Sequence, residues 1–125
     1  MSYILIVEDN YDNAEILEIY LESQSFPVQH IPGGYNVMSD VTNNPPALIF
    51  MDINLPDNDG RVLCHQIKKR LGDMAPPIIV MTAGYGDGYE KTAKVFGADD
   101  FIKKPISHEM VMKKINQYLP EAVES

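Results

Sequence analysis

A chain of 125 residues, 45% of them hydrophobic, carries enough apolar material for one compact core and little for a second. Ten basic against eighteen acidic side chains leave a formal net charge of −8, which argues against nucleic-acid and anionic-membrane partners. The single cysteine, Cys64, excludes an intrachain disulfide, and the start "MSYILIVEDN" has neither a basic leader nor a membrane-length apolar run, so a reducing, cytoplasmic setting is expected.

"YILIV", residues 3 to 7, is a short continuous apolar run of the kind buried on both faces of a parallel sheet. It ends at Glu8 and Asp9. "NYDNAEILEIYLESQ" follows with Ala14, Leu17 and Leu21 at helical spacing, Ile16 and Ile19 widening the stripe, and Asn10 or Asp12 as cap. "FPVQHI", residues 26 to 31, reads as a weak strand, and "GGYNVMSDVTNN" as a modest helix stopped by Pro45 and Pro46.

The second half alternates more plainly. "ALIFM" is a strand, "DGRVLCHQIKKRLG" a helix closed by Gly72, "PIIVM" a strand, and "YEKTAKVFG" a helix closed by Gly97. "DFIKKP" holds a short strand at Phe101 and Ile102, and "SHEMVMKKINQYL" a helix capped by Ser107 with Met110, Val111, Ile115 and Leu119 on one face. Five βα units imply right-handed crossovers and an α/β fold, a doubly wound parallel sheet with helices on both faces.

In such sheets ligands bind beyond the carboxyl ends of the strands, where the strand order reverses. Glu8 and Asp9 follow the first strand, Asp52 the third, Thr82 the fourth and Lys104 the fifth. If the first and third strands are neighbours, three carboxylates share one crevice and resist ionising together unless cations compensate. Lys104 supplies one positive charge, and a hard divalent ion such as Mg²⁺ suits the oxygen ligands that remain. Glu8 and Asp9 also read as caps favoured by the first helix's dipole, which accounts for either alone but not for Asp52 and Lys104. His30, His65 and His108 are scattered without ligand spacing and read as surface or partly buried residues, Cys64 as a small buried apolar residue, and the seven methionines as core filler.

"VEDN" after the first strand, "LIFMDINLPDNDG" around the third, "VMTAG" after the fourth and "GADDFIKKPIS" around the fifth together resemble the receiver domain of two-component response regulators, over essentially the whole chain. That resemblance implies a flavodoxin-like (βα)5 sheet of order 2-1-3-4-5, with residues 1–120 as the domain and 121–125 as a short tail. It implies Asp52 as phosphoacceptor for a histidine kinase or phosphotransfer protein. Glu8, Asp9, Asp52 and the backbone carbonyl of Asn54 then hold Mg²⁺, and Lys104 contacts the phosphoryl group.

Thr82 resembles the family's switch hydroxyl and Phe101 its aromatic partner. Phe101 lacks a tyrosine's hydroxyl and also reads as an ordinary core aromatic. Pro105 resembles the proline whose preceding bond is cis and which aims Lys104 inward. Gly84, Gly86 and Gly88 stand where the fourth helix usually begins, so that helix is expected to start late or be mobile, and a flexible loop without function reads equally well.

The implied function is a signalling switch, not an enzyme, that acts on a downstream protein by binding or onward phosphotransfer. Only "PEAVES" follows the fifth helix, so no attached effector is expected. A haloacid-dehalogenase-type phosphatase also uses an aspartate after a strand, but needs a second acid two positions on, where Asn54 stands. A flavodoxin-like electron carrier needs a phosphate-binding loop where "EDNYDN" would repel phosphate.

Overall fold

A computed structural model describes residues 2–84 and 88–120. The apolar runs pair as five parallel strands: β1 (Ile4–Val7), β2 (Val28–Ile31), β3 (Leu48–Asp52), β4 (Ile78–Thr82) and β5 (Asp100–Lys103). Their order is β2-β1-β3-β4-β5. Between them run α1 (Tyr11–Glu22), α2 (Val37–Asn43), α3 (Gly60–Leu71) and α4 (Gly88–Val95), and α5 (His108–Tyr118) closes the fold. A 3-10 turn at Gly72–Met74, which the sequence pattern does not signal, joins α3 to β4.

Alternation along the strands sends side chains to two cores. Leu5, Val7, Ile49, Met51, Ile78 and Val80 meet Val41 of α2, Leu63 and Ile67 of α3 and Ala93 of α4. Ile4, Ile6, Leu48, Phe50, Ile79 and Ile102 meet Leu17 and Leu21 of α1 and Val111 and Ile115 of α5. Full burial of one such side chain contributes about 1.5–3 kcal/mol, so the central strands, buried on both faces, carry most of the hydrophobic stabilisation. Cys64 lies in this interior, where burial pushes its thiol up to about 11 and keeps it protonated.

Helix ends follow local chemistry. The side chain of Asn10, not Asp12, caps α1 by accepting from Asn13 N–H at 2.9 Å, and Ser107 caps α5 in the same way through Met110 N–H at 3.2 Å. Asp59 caps α3 through Arg61 N–H. Gly72 and Gly97 close their helices with φ of 54° and 100°, where a side chain would be strained.

Two expectations change. Ile16 and Ile19 do not widen the buried stripe of α1, since they are 44% and 58% exposed, and Ala14, Leu17 and Leu21 are the fully buried residues of the helix. The second helix begins at Val37, because Gly33 and Gly34 belong to the turn before it. The fourth helix is described from Gly88; Gly86 lies outside the described residues, as does the tail 121–125.

The start of β5 is fastened to α5. Asp100 accepts from Lys114 Nζ at 2.8 Å, from Tyr118 Oη at 3.0 Å and from its neighbour Phe101 N–H at 2.8 Å. Burial alone would raise the Asp100 carboxyl, but these donors outweigh it and hold it below 3.8. A depressed carboxyl stabilises the fold fully above its unfolded value and loses that contribution as pH falls through the folded one. Asp100→Asn is therefore expected to lower the urea midpoint at neutral pH. The wild-type and variant curves should converge in acid below 3.8, which a pH series of denaturation curves checks.

Candidate functional site

The sheet order puts β1 beside β3, and their register pairs Val7 with Met51. The next residues, Glu8 and Asp52, therefore emerge at one level where the crossovers reverse direction. Asp52 and Thr82 are the last residues of their strands rather than the first beyond them, and Lys104 follows β5 directly.

Glu8 and Asp52 are buried, at 2% and 3% exposure, whereas Asp9 is exposed at the rim. Lys104 Nζ donates to Glu8 Oε2 at 2.8 Å and to Asp52 Oδ2 at 2.9 Å. Asp52 Oδ1 accepts Asn54 N–H at 3.0 Å, and Glu8 Oε1 accepts Asn10 N–H at 3.3 Å. One carboxylate oxygen from each of Glu8, Asp9 and Asp52 lies within 4.8 Å of the other two. Asn10 supplies the side-chain cap of α1, while Glu8 turns one carboxylate oxygen to Lys104 and the other to the Asn10 N–H.

The electrostatics match the geometry. Burial raises the Glu8 carboxyl above its ordinary 4.5; the hydrogen bond from Lys104 opposes this and the charge on Asp52 adds to it. Burial would lower Lys104, but its bonds to Glu8 and Asp52 win and raise it above 10.5, so the ammonium is firmly charged. Two carboxylate charges within 4.8 Å repel by about 3.5 kcal/mol at an effective dielectric of 20. One ammonium against three carboxylates leaves negative charge to be balanced, and a clustered all-oxygen donor set fits a hard divalent cation of the Mg²⁺ class.

The loops around the site are packed tightly. Gly60 N–H donates to Ile53 O at 2.8 Å, and a Cβ on Gly60 would collide with the carbonyl oxygen of Asp52. Only glycine lets the start of α3 come this close behind Asp52. Asp57 Oδ1 accepts Gly34 N–H at 2.8 Å and so ties the loop after β2 to the loop after β3. Thr82 is fully buried, its hydroxyl accepting Gly84 N–H at 3.0 Å and its carbonyl accepting Lys104 N–H at 2.8 Å. Phe101, half-buried, packs into the core on the α3 side. The Lys104–Pro105 bond is cis, as the resemblance implies.

The histidines are surface or partly buried, as expected, but one makes a contact near the site. His65 and His108 pack edge-to-face on Phe96 and Tyr20, away from the carboxylates, but His30 Nε2 stands 2.7 Å from the backbone oxygen of Glu8. Neither spacing nor composition marks it. Only the register Ile6 to His30, together with the side chain's reach, brings it to the end of β1.

The model of the response regulator receiver domain matches residues 4–116. The chain belongs to this family. Receiver domains are the phosphoacceptor modules of two-component signalling, phosphorylated on an aspartate by histidine kinases, and are not catalytic enzymes in their own right. Relatives include the response regulator ArlR of Staphylococcus saprophyticus, 35% identical over 95% of this chain and 53% of its own length. The transcriptional regulatory protein BaeR of Escherichia coli is 36% identical over 93% and 47%. The chain thus spans about half the length of the curated relatives it matches.

Among solved structures, a two-component response regulator from Clostridium difficile superposes with a TM-score of 0.86 at 28% identity, covering all of both chains. The receiver domain of a sensor histidine kinase from Pseudomonas aeruginosa superposes at 0.85 with 25% identity, over 95% of this receiver and 98% of that one. It carries a magnesium ion in its active-site cleft, and the cluster of Glu8, Asp9 and Asp52 is an acidic site of the same kind.

Removing a cation from buried carboxylates and removing one of the carboxylates have opposite signs. Lys104→Ala leaves Glu8 and Asp52 buried and unpaired, and is expected to cost roughly 3 kcal/mol in metal-free buffer. Asp52→Asn relieves the repulsion and is expected to stabilise. Urea denaturation in a chelator checks both.

Proposed function

We propose that Asp52 is the aspartate that this receiver domain uses as phosphoacceptor. The observation that carries this is the grip on its carboxylate: Oδ1 is held by Asn54 N–H and Oδ2 by Lys104, at the buried meeting point of β1 and β3. A carboxylate oxygen of Asp52 attacks the phosphorus of a phosphohistidine. The new P–O bond forms as the P–N bond breaks, and the electron pair leaves with the imidazole nitrogen. Lys104, already within hydrogen-bond reach of Asp52, stays as a point charge beside the transferred oxygens.

Glu8, Asp9, Asp52 and the backbone carbonyl of Asn54 are the residues we assign to Mg²⁺. When bound, that ion neutralises charge on the phosphoryl oxygens during transfer. A cavity of about 500 Å³ beside Lys104, lined by Asn13, Ile16, Ala83, Pro105 and Ile106, gives a donor side chain room to approach. The exposed Ile16 offers the donor protein an apolar contact.

Thr82 and Phe101 form the proposed switch. β4 and β5 pair Val80 with Phe101 and Thr82 with Lys103, so Thr82 and Phe101 are diagonal neighbours on one face. Phosphorylation draws the Thr82 hydroxyl toward the phosphoryl oxygens, and the Phe101 ring takes the vacated space. Output then passes to a downstream protein by binding or by onward phosphotransfer, with residues 1–120 as the receiver unit, acting in the cytoplasm. Among the described residues no helix is long and apolar enough to cross a membrane. Asn54, a carboxamide where a phosphatase of the aspartate-nucleophile class needs a second acid, gives that reading no support.

Intact-mass spectrometry after incubation with acetyl phosphate tests the assignment. A Mg²⁺-dependent phosphoryl adduct is expected on wild type and none on Asp52→Asn with its fold preserved. An equal adduct on the variant would move the acceptor elsewhere.

A further inference from the structure

Glu8 is held through its backbone as well as its carboxylate. Its N–H donates to Ile31 O at 3.1 Å, beyond the last paired residues of the β1–β2 ladder, Val7 and Ile31. Its carbonyl accepts from His30 Nε2 at 2.7 Å. A carbonyl oxygen only accepts, so the Nε2 of His30 carries a proton.

The imidazole is itself fixed from two further directions. The ring of Tyr11 meets it edge-to-face with centroids 5.3 Å apart, and its Nδ1 faces Glu18 Oε1 at 3.9 Å. Both residues belong to α1, so the ring sits between the edge strand and the first helix, with its side chain largely withdrawn from solvent.

The bond to the Glu8 carbonyl has a consequence for two carboxylates at once. The peptide joining Glu8 to Asp9 is planar, so the direction of the Glu8 carbonyl sets the orientation of the plane on which the Cα of Asp9 lies. Fixing that oxygen therefore fixes both where Glu8 leaves the strand and the direction from which Asp9 starts toward the crevice.

We propose that His30 is a positioning residue for the metal site: through Nε2 it locks the Glu8–Asp9 peptide plane and thereby places the two carboxylates that gather beside Asp52. This rests on the assignment of Glu8, Asp9 and Asp52 to Mg²⁺. Partners that orient metal ligands from outside the ligand set are typically worth 10–100-fold in affinity, which sets the scale of the effect.

Isothermal titration with Mg²⁺ at constant pH and ionic strength tests it on wild type, His30→Ala, His30→Gln and Tyr11→Ala, each with its circular dichroism spectrum. His30→Ala is expected to weaken binding about tenfold or more. The Gln amide nitrogen reaches about as far as the imidazole Nε2, so His30→Gln is expected to recover most of the loss. Tyr11→Ala, at a solvent-exposed position, leaves the ring less constrained and is expected to weaken binding by a smaller factor with the fold intact.

Wild-type affinity in His30→Ala, or equal loss in the Ala and Gln variants, overturns the proposal. If His30→Ala does not fold, unchanged affinity in Tyr11→Ala overturns it. A wild type that binds no Mg²⁺ overturns the metal assignment and this inference together, whereas normal wild-type binding with unaffected variants overturns the inference alone. A ¹⁵N spectrum of His30 supplies an independent signature, in which a neutral ring protonated on Nδ1 instead of Nε2 removes the hydrogen bond on which the proposal stands.

Discussion

A single ammonium group holds the site together. Lys104 Nζ bridges Glu8 and Asp52, residues 96 and 52 positions away in sequence, and without it two buried carboxylates would face each other uncompensated. The bridge exists only because β1 lies beside β3 in a register that brings Glu8 and Asp52 to one level, while β4 carries β5 to the height from which Lys104 reaches back. The topology and the charge cluster are therefore one constraint seen at two scales. A one-residue slip in either ladder would turn the acidic side chains to opposite faces of the sheet.

Concentrating like charge costs stability, and the fold confines that cost to one end of the sheet. The strands behind it are buried on both faces, so the residues that end in the crevice grow out of the best-packed part of the molecule. The loops at that end are pinned by short polar contacts instead: Asn10 capping α1, Asp59 capping α3, Asp57 holding Gly34, and Gly60 against the back of Asp52. Each of these fixes backbone, and side chains on fixed backbone need less reordering when a charged ligand arrives.

Element types and their order were readable because short strand-like runs alternate with helical spacing, and the first, third, fourth and fifth runs lead into polar residues, whereas the weak second strand does not. Asp52, Thr82 and Lys104 stood out because a strand end is where an α/β sheet binds ligands. The exposure of Ile16 and Ile19 was not readable, since a helical stripe gives the buried face but not its width; three positions sufficed against the sheet. The short second helix escaped for a related reason, its first residues being spent on a turn that two glycines permit. His30 is the clearest omission. Its role comes from a strand register and from a backbone carbonyl, and a carbonyl has no letter in the sequence.

The two ends of β5 show how a local event at the crevice gains a longer reach. At its start, Asp100 is clamped to α5 by Lys114 and Tyr118. Just past its end, Lys104 is bound through its backbone N–H to the carbonyl of Thr82 and through its ammonium to Glu8 and Asp52. Thr82 in turn holds Gly84 N–H through its hydroxyl, so that hydroxyl cannot swing toward Asp52 without releasing the loop that leads to α4. A new anion on Asp52 would compete for Lys104 and Thr82 together, and the Lys104 N–H to Thr82 carbonyl bond is the last link between β4 and β5 at the crevice end. Phe101 lies between the clamped start of the strand and the Lys104 contacts past its end, so a competition for Lys104 would act on the strand that carries it. In the proposed switch such a competition would work through these hydrogen bonds, and Phe101, without a hydroxyl, would answer by packing alone.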